Sequence, residues 1–494
     1  MQEFCPTTDS SAAFKYKVVV YYFALTNPSV GVSNVKSIPK RSTYTVLSAM
    51  GYFLDGYDLS VISVFTFSLL RLKFFPYNSY LLGWVSGSAL LGAMVGAVLF
   101  GHYSDRIGRR YLYIFDLIFF VVFAVLSALS TNLLQMIIFR FFIGWGVGAD
   151  YALSPVYAAE MYPNLQRGKG YGWVWAFWSI GAGVSFFIGY LFYLATPLAA
   201  WRWALGLGAI PALITVFLRT RMPESSRWNI VQKGEVAIGE AEELKGQTGM
   251  SKEDIENLMK ERRKMEKVNA GSLTELFKGE WGKRTAIVWI QWILYDIGAY
   301  GFGLYAPTIL SLLGAKGPVA ILYSSLLYIP GFLGAFGAAY LNDVLGRRLL
   351  QLLGFGFMTI GMLFVALGAI IGGLIAIVLG ATGLIFWYGF GNLGPGNTMG
   401  LYAIELLPTK LRSASMGAAT AITRFVSFLS AFEFPLIVFS IGKLPFFEML
   451  VIVMAIAFVF TLLFTPETKG LSLEQIATYR YHKRKLVPPE EKKE

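Results

Sequence analysis

Cysteine and histidine are almost absent, with one cysteine, Cys5, and two histidines, His102 and His482, in 494 residues. A single thiol allows neither an internal disulfide nor a thiolate metal cluster, and two histidines so far apart make no histidine-based metal site. No metal or cofactor is expected. Charge is also scarce, at 15% of residues, against about 25% in an ordinary soluble protein. Just over half of the charged side chains fall in residues 219–284 and 465–494 alone. What remains is apolar: 55% of the chain is hydrophobic and 16% aromatic. A soluble globular domain, a disordered chain and a secreted disulfide scaffold are all excluded. This is the composition of a polytopic membrane protein. A net charge of +12 could point to nucleic acid, but here it sorts by membrane side, and no nucleic-acid partner is expected.

Apolar runs long enough to cross about 30 Å of hydrocarbon as helices lie near 44–70, 80–100, 111–130, 134–158, 171–194 and 201–218. They resume near 285–313, 318–341, 349–369, 371–402, 412–438 and 445–464. With both termini cytoplasmic, only Arg71, Lys73, Arg202, Lys316 and Lys443 fall outside, and Arg140 and Arg424 fall within spans. Every other basic side chain is then cytoplasmic, as the positive-inside bias requires. The expected fold is all-α, with twelve transmembrane helices in a plasma membrane. Residues 1–41 read as a cytoplasmic tail, because the apolar run 18–25 is too short to span and lacks a signal-peptide layout.

Three motif pairs reveal a duplication. Ser104-Asp105-Arg106-Ile107-Gly108-Arg109-Arg110 returns 238 residues later as Asn342-Asp343-Val344-Leu345-Gly346-Arg347-Arg348. Glu160-Met161-Tyr162-Pro163 with Arg167 returns after 245 as Glu405-Leu406-Leu407-Pro408 with Arg412, and Pro223-Glu224-Ser225 after 243 as Pro466-Glu467-Thr468. The members follow the second, fourth and sixth span of each half. Two six-helix halves, 42–218 and 285–464, are therefore expected to be parallel repeats around a cytoplasmic loop, 219–284, with a cytoplasmic tail at 465–494. Such halves enclose a central cavity and work by rocking against one another. The loop itself, with interleaved signs at Glu256, Lys260, Arg263 and Lys267, reads as a solvated linker.

An ionised side chain out of water costs several kcal/mol unless it is paired, wet or neutralised. The spans nevertheless carry Asp55 and Asp58, Arg140 and Asp150, Asp296, and Arg424. These groups are expected to face the shared cavity rather than lipid, where carboxylates can exchange protons. The plainer alternative is a set of ion pairs fixing the bundle, for example Asp150 with Arg140, or a hydrogen bond from Tyr57 for Asp58. Trp292 and Tyr300 lie four residues either side of Asp296, on one helical face. That grouping suits a small oxyanion carrying protonated oxygens, or is an aromatic packing stripe. Glycines at 144, 146, 148, 181 and 183 permit close helix approach. The run from Asn392 to Thr398, with Gly394-Pro395-Gly396 and Asn397, should break the tenth span beside a cavity.

The loop Gly101 to Arg110, Gly-x-x-x-Asp-Arg-x-Gly-Arg-Arg, resembles the signature of the major facilitator superfamily. Pro223-Glu224-Ser225-Ser226-Arg227-Trp228 and Pro466-Glu467-Thr468-Lys469-Gly470 resemble its sugar-porter-like branch. Within it, Asp55-Gly56-Tyr57-Asp58, Gly148 to Ser154, and Trp292-x-Leu294-x-Asp296-x-x-x-Tyr300 are most similar to the phosphate:proton symporters. The likeness extends over about residues 42–475. It implies proton-driven uptake of a small anion by a monomer embedded in the bilayer. Asp55, Asp150 and, less directly, Asp58 would carry protons. Tyr151, Trp292, Asp296, Tyr300, Asn392, Asn397 and Arg424 would meet substrate, Arg424 standing where the family has lysine. It also implies a gating set at the cytoplasmic ends: Gly101, Asp105, Arg106, Gly108, Arg109, Arg110, Asp343, Arg347, Glu160, Glu405 and Arg412, with Arg140 inside the bundle. Trp178 replaces the family's fifth-span glutamine, and Gly396 the asparagine after Gly-Pro. Both changes make an organic acid or another metabolite an alternative substrate, and the span-one aspartates also resemble aromatic-acid symporters. A sugar carrier would be expected to pair Gln291 with a second glutamine and an asparagine, which are missing. No nucleophile–base pair suggests an enzyme.

Overall fold

The structure is a computed structural model. It describes residues 41–107, 109–161, 167–220, 273–315, 317–407, 409–471, 475–476, 479–482 and 484–488. Residues 1–40 of the expected tail at 1–41, Gly108, residues 221–272 of the central loop and part of the C-terminal tail lie outside the described residues, and Arg41 opens the first helix.

In the first half, α1 (Arg41–Leu72), α2 (Ser79–Ile107), α3 (Arg109–Leu129), α4 (Leu133–Met161) and α5 (Arg167–Ala195) are single helices. The sixth span is the pair α6 (Ala200–Leu207) and α7 (Ala209–Arg219). The second half holds α8 (Gly279–Gly303) and α9 (Ala306–Leu312), α10 (Val319–Leu345), α11 (Arg347–Ile371), α12 (Gly373–Leu393) and α13 (Pro395–Glu405), α14 (Thr409–Ser440) and α15 (Lys443–Phe464). Among the described residues, eleven segments are long and apolar enough to cross a membrane, and α8 with α9, bent by 66°, completes twelve. Helices dominate because a chain in hydrocarbon must satisfy its own backbone groups.

Two spans in the second half break where the sequence removes a donor. Pro395 opens α13 after Gly394, at φ −100° and ψ −103°, where the expected interruption falls. Pro307 lies in the first turn of α9, just beyond the bend. That bend in the seventh span was not expected. Two boundaries also move. The sixth span runs on to Arg219, which is buried rather than part of a solvated loop, and the seventh begins at Gly279 rather than 285. The described residues of the tail include an antiparallel hairpin of β1 (Arg480–His482) and β2 (Lys485–Val487).

Lipid has no more affinity for leucine than a neighbouring helix does, so small and polar residues turn inward and large apolar ones outward. Leu129, Leu213 and Leu374 are exposed, while Ser48, Ser63, Thr66, Ser185 and Thr423 are buried. The halves meet along two long helix pairs, α2 against α14 and α5 against α10. One end of the bundle carries the duplicated basic loops and is called the basic end below.

Candidate functional site

A cavity of about 50 Å³ lies between the halves, room for a few water molecules. Its walls are largely aromatic: Trp175 and Trp178 from α5, Tyr328 from α10, and Trp387 and Tyr388 from α12. The two indoles stack with ring centroids 6.0 Å apart and planes 6° from parallel. The polar wall comes from Asp296 and Tyr300 on α8, Asn392 on α12 and Arg424 on α14.

Asp296 Oδ2 lies 3.1 Å from Arg424 Nη2 and accepts a hydrogen bond from Ser427 at 2.9 Å. The Arg424 guanidinium is held between two rings, 4.6 Å from the centroid of Tyr151 and 4.5 Å from that of Tyr300. Cation–π contact suits an arginine out of water. The hydroxyls of Tyr151 and Tyr300 are 3.4 Å apart, across the two halves. Trp175 Nε1 donates to Asn392 Oδ1 at 2.9 Å, and Asn392 Nδ2 donates to the Tyr388 carbonyl at 2.9 Å. Several buried polar atoms of the lining make no hydrogen bond among the described residues: Arg424 Nε and Nη1, Asp296 Oδ1 and Trp178 Nε1. Most of them are donors, so the site offers more to a ligand that accepts hydrogen bonds.

Further charged groups lie buried in the first half. Arg140 Nη1 donates to both oxygens of Asp58 at 2.6 Å, and Nη2 to the Asp58 carbonyl at 3.1 Å. Asp150 is bound instead by Arg219 at 2.7 Å and by Ser154 at 2.9 Å. The alternative pairing of Asp150 with Arg140 is therefore not formed. Ten residues apart on one helix, the two are separated by about 15 Å of rise. Tyr57 does not serve Asp58 either; its hydroxyl donates to the Ala204 carbonyl at 2.6 Å. Asp55 is buried on α1, and its Oδ2 has no partner among the described residues.

The cavity gathers Trp178, Asp296, Tyr300, Asn392 and Arg424, with Tyr151 just behind Arg424. Trp292 is buried but does not line it. Asn397 turns away, accepting a 2.6 Å hydrogen bond from Asn342. At the basic end, Arg347 pairs with Asp343 at 3.1 Å and with Glu405 at 3.0 Å. Glu405 also accepts from Thr468 at 2.6 Å, and Glu467 accepts from the backbone N–H groups of Arg347 and Arg348 at 3.0 and 3.1 Å. Asp343 further accepts from the backbone N–H of Lys169 at 3.1 Å, tying α10 to the start of α5 across the halves. An anion at a helix N-terminus is favoured by the unpaired N–H groups there. In the first copy of the loop, Gly101, Asp105, Arg106, Arg109 and Arg110 have helical backbones, but their side chains lie outside the described residues, as do those of Glu160 and Arg412.

Sequence reasoning missed Trp175, Tyr328, Trp387 and Tyr388, which nothing marks out among 79 aromatic residues (12 Trp, 27 Tyr, 40 Phe). It also missed Asp116 and Arg219. Asp116, an acid inside the third apolar run, was a visible signal. Arg219 was hidden by its position beside a charged loop.

The sequence profile described as "Sugar (and other) transporter" matches residues 44–479. The glucose transporter GlcP of Staphylococcus epidermidis is 30% identical, the match covering 87% of this chain and 95% of that one. The low affinity inorganic phosphate transporter 5 of Petunia hybrida is 29% identical, covering 88% and 91%. The proton:xylose symporter XylE of E. coli, of the major facilitator superfamily, superposes with a TM-score of 0.77 at 24% identity, covering 88% of this chain and 98% of that one.

Proposed function

We propose, from the premise that this chain belongs to the sugar (and other) transporter family and has the major facilitator fold, that it is a proton-coupled symporter bringing a small anion such as inorganic phosphate into the cell. The basic end is cytoplasmic in this reading, and the membrane is the plasma membrane. The observation that carries it is a cavity-facing cation, Arg424, in a bundle that also buries the carboxylates Asp55 and Asp150. Protons taken up by Asp55 and Asp150 from outside reduce the negative charge that would oppose an anion. The anion then docks on Arg424, using its free Nε and Nη1, with Tyr151, Tyr300 and Asp296 around it. Its arrival redistributes the Arg424–Asp296 pair, and the halves rock toward the inside. Deprotonation to the cytoplasm accompanies release. Asp58, bound to Arg140, takes a supporting place in this scheme.

Two relatives carry different substrates in their names, so the anion's identity is decided by assay. Labelled phosphate uptake into proteoliposomes, with and without an inward proton gradient and competed by organic acids and sugars, is the test. Accumulation that collapses with the gradient and yields only to phosphate supports the first reading. A second reading, an organic or aromatic acid, is favoured by the aromatic walls around Arg424, which suit a flat apolar body with one anionic end. Block by such an acid, without phosphate uptake, would select it. Sugar transport is less well served. Gln291 is occupied by Thr461, at 3.3 Å, and by Thr465, and does not line the cavity.

A further inference from the structure

The sixth span ends on a cation that the cycle above leaves unused. Arg219 is fully buried in the last turn of α7. Its Nη2 donates to Asp150 at 2.7 Å, its Nη1 stands 3.6 Å from Asp116 of α3, and its guanidinium lies 3.5 Å from the ring centroid of Tyr113. Gly51 of α1 makes room for this pair: a Cβ there would lie 2.1 Å from Arg219 Nη2 and 2.3 Å from Asp150 Oδ2. From α1, Asp55 is within electrostatic reach of Asp150, Asp116 and Arg219, and Tyr52 is within reach of Asp150. The other buried arginine of the first half, Arg140, lies farther along α4 and is committed to Asp58 at 2.6 Å. Thus α1, α3, α4 and α7 set three carboxylates, Asp55, Asp116 and Asp150, around one arginine.

Three buried carboxylates with a single cation cannot all be ionised without an uncompensated charge out of water. Full ionisation would leave more negative charge than the one guanidinium can offset, so the arginine's position bears on which carboxylate keeps its charge. We propose that Arg219 is the positioning residue that governs proton release: it acts through Asp150, stabilising the carboxylate left behind, and Asp116 competes for the same guanidinium. The inference rests on the symport reading and adds a fixed counter-ion on the sixth span to it.

The test is a pH titration of the purified full-length protein in lipid by infrared difference spectroscopy, following the protonated-carboxyl band that Asp150→Asn abolishes. It needs no substrate. In Arg219→Gln the midpoint of that band should rise by about one to three pH units, the range an adjacent opposite charge commands. In Asp116→Asn it should fall, and in Arg219→Lys it should return toward the parent. Arg219→Lys and Asp116→Asn keep the question open to refutation if Arg219→Gln does not fold. An unmoved midpoint, shifts of one sign in Arg219→Gln and Asp116→Asn, or no titrating Asp150 band in the parent would each overturn the proposal. Failure of the symport reading shows separately, as uptake by the parent that ignores the proton gradient.

Discussion

Replacing Asp150 with asparagine keeps the shape of the side chain and removes its ionisable carboxyl group. Asp150→Asn should abolish accumulation driven by a proton gradient while leaving exchange of labelled for unlabelled substrate partly intact. A variant that still concentrates substrate would show that Asp150 is not the coupling residue. Arg424 makes a different prediction. It is the cavity's cation, and a charge-assisted hydrogen bond to an anion is about twice as strong as one to a neutral group. Arg424→Ala should therefore weaken competition by an anion at least about tenfold, about 1.4 kcal/mol, and by a neutral sugar much less. Equal losses would refute the anion site. For Asp58 the arrangement predicts a stability effect. Leaving Arg140 buried without its partner should cost about 3–5 kcal/mol, visible as a lower melting temperature of Asp58→Ala in detergent. If that variant melts with the parent, the bridge is not structural.

At the scale of the element, the spans are held by close approach rather than by hydrophobic drive between helices. The crossing of α2 and α4 shows this. A Cβ at Gly92 would lie 1.9 Å from the Phe141 carbonyl oxygen, and one at Gly144 2.0 Å from that of Ala89. Both obstacles are backbone and cannot swing aside. Gly144→Leu should push the two helices apart, lower the melting temperature sharply and cut the yield of folded protein. Normal yield and melting would mean that the crossing is looser than this geometry. The spacing of glycines at 144 and 148 showed that something packs there. Only the fold shows that the partner is α2, where Gly148 faces the Ala93 carbonyl in the same way.

For the whole molecule, the halves touch on both sides of the cavity. Away from the basic end, Ser63 donates to the Leu304 carbonyl at 2.6 Å and Ser325 to the Gly183 carbonyl at 2.8 Å. At the basic end, α5 and α10 meet where a Cβ on Gly172 would stand 2.4 Å from Ala339 Cα, beside the Lys169–Asp343 hydrogen bond. Alternating access requires each set to open while the other holds. Gly172→Leu should prevent closure at the basic end and bias the protein toward the state that is open at that end. The check is labelling of a cysteine introduced at Ala339, in a Cys5→Ser background, by a water-soluble maleimide. Labelling should be faster with Gly172→Leu than without it, and unchanged labelling would argue against this contact as a gate.

The chain's own pattern determined the number of spans, their repeat in two halves and the break at Gly394-Pro395. These follow from lengths of apolar sequence, motif spacing and a missing backbone donor, all local properties. It also marked Asp55, Asp58, Asp150, Asp296 and Arg424, because a charge within an apolar run stands out whatever surrounds it. The partners of those charges were settled only by tertiary structure. Arg140 lies ten residues from Asp150 along one helix and so cannot reach it, while Asp58 on another helix can. Arg219 reads as the first residue of a charged loop until α7 carries it into the bundle beside Asp150 and Asp116. The side chains that form the cavity's aromatic walls, and the turning of Asn397 toward Asn342 instead, likewise depend on which face each helix presents to a neighbour far away in sequence. Hydropathy places a helix in the bilayer, but an ion pair forms only where packing brings the two groups together.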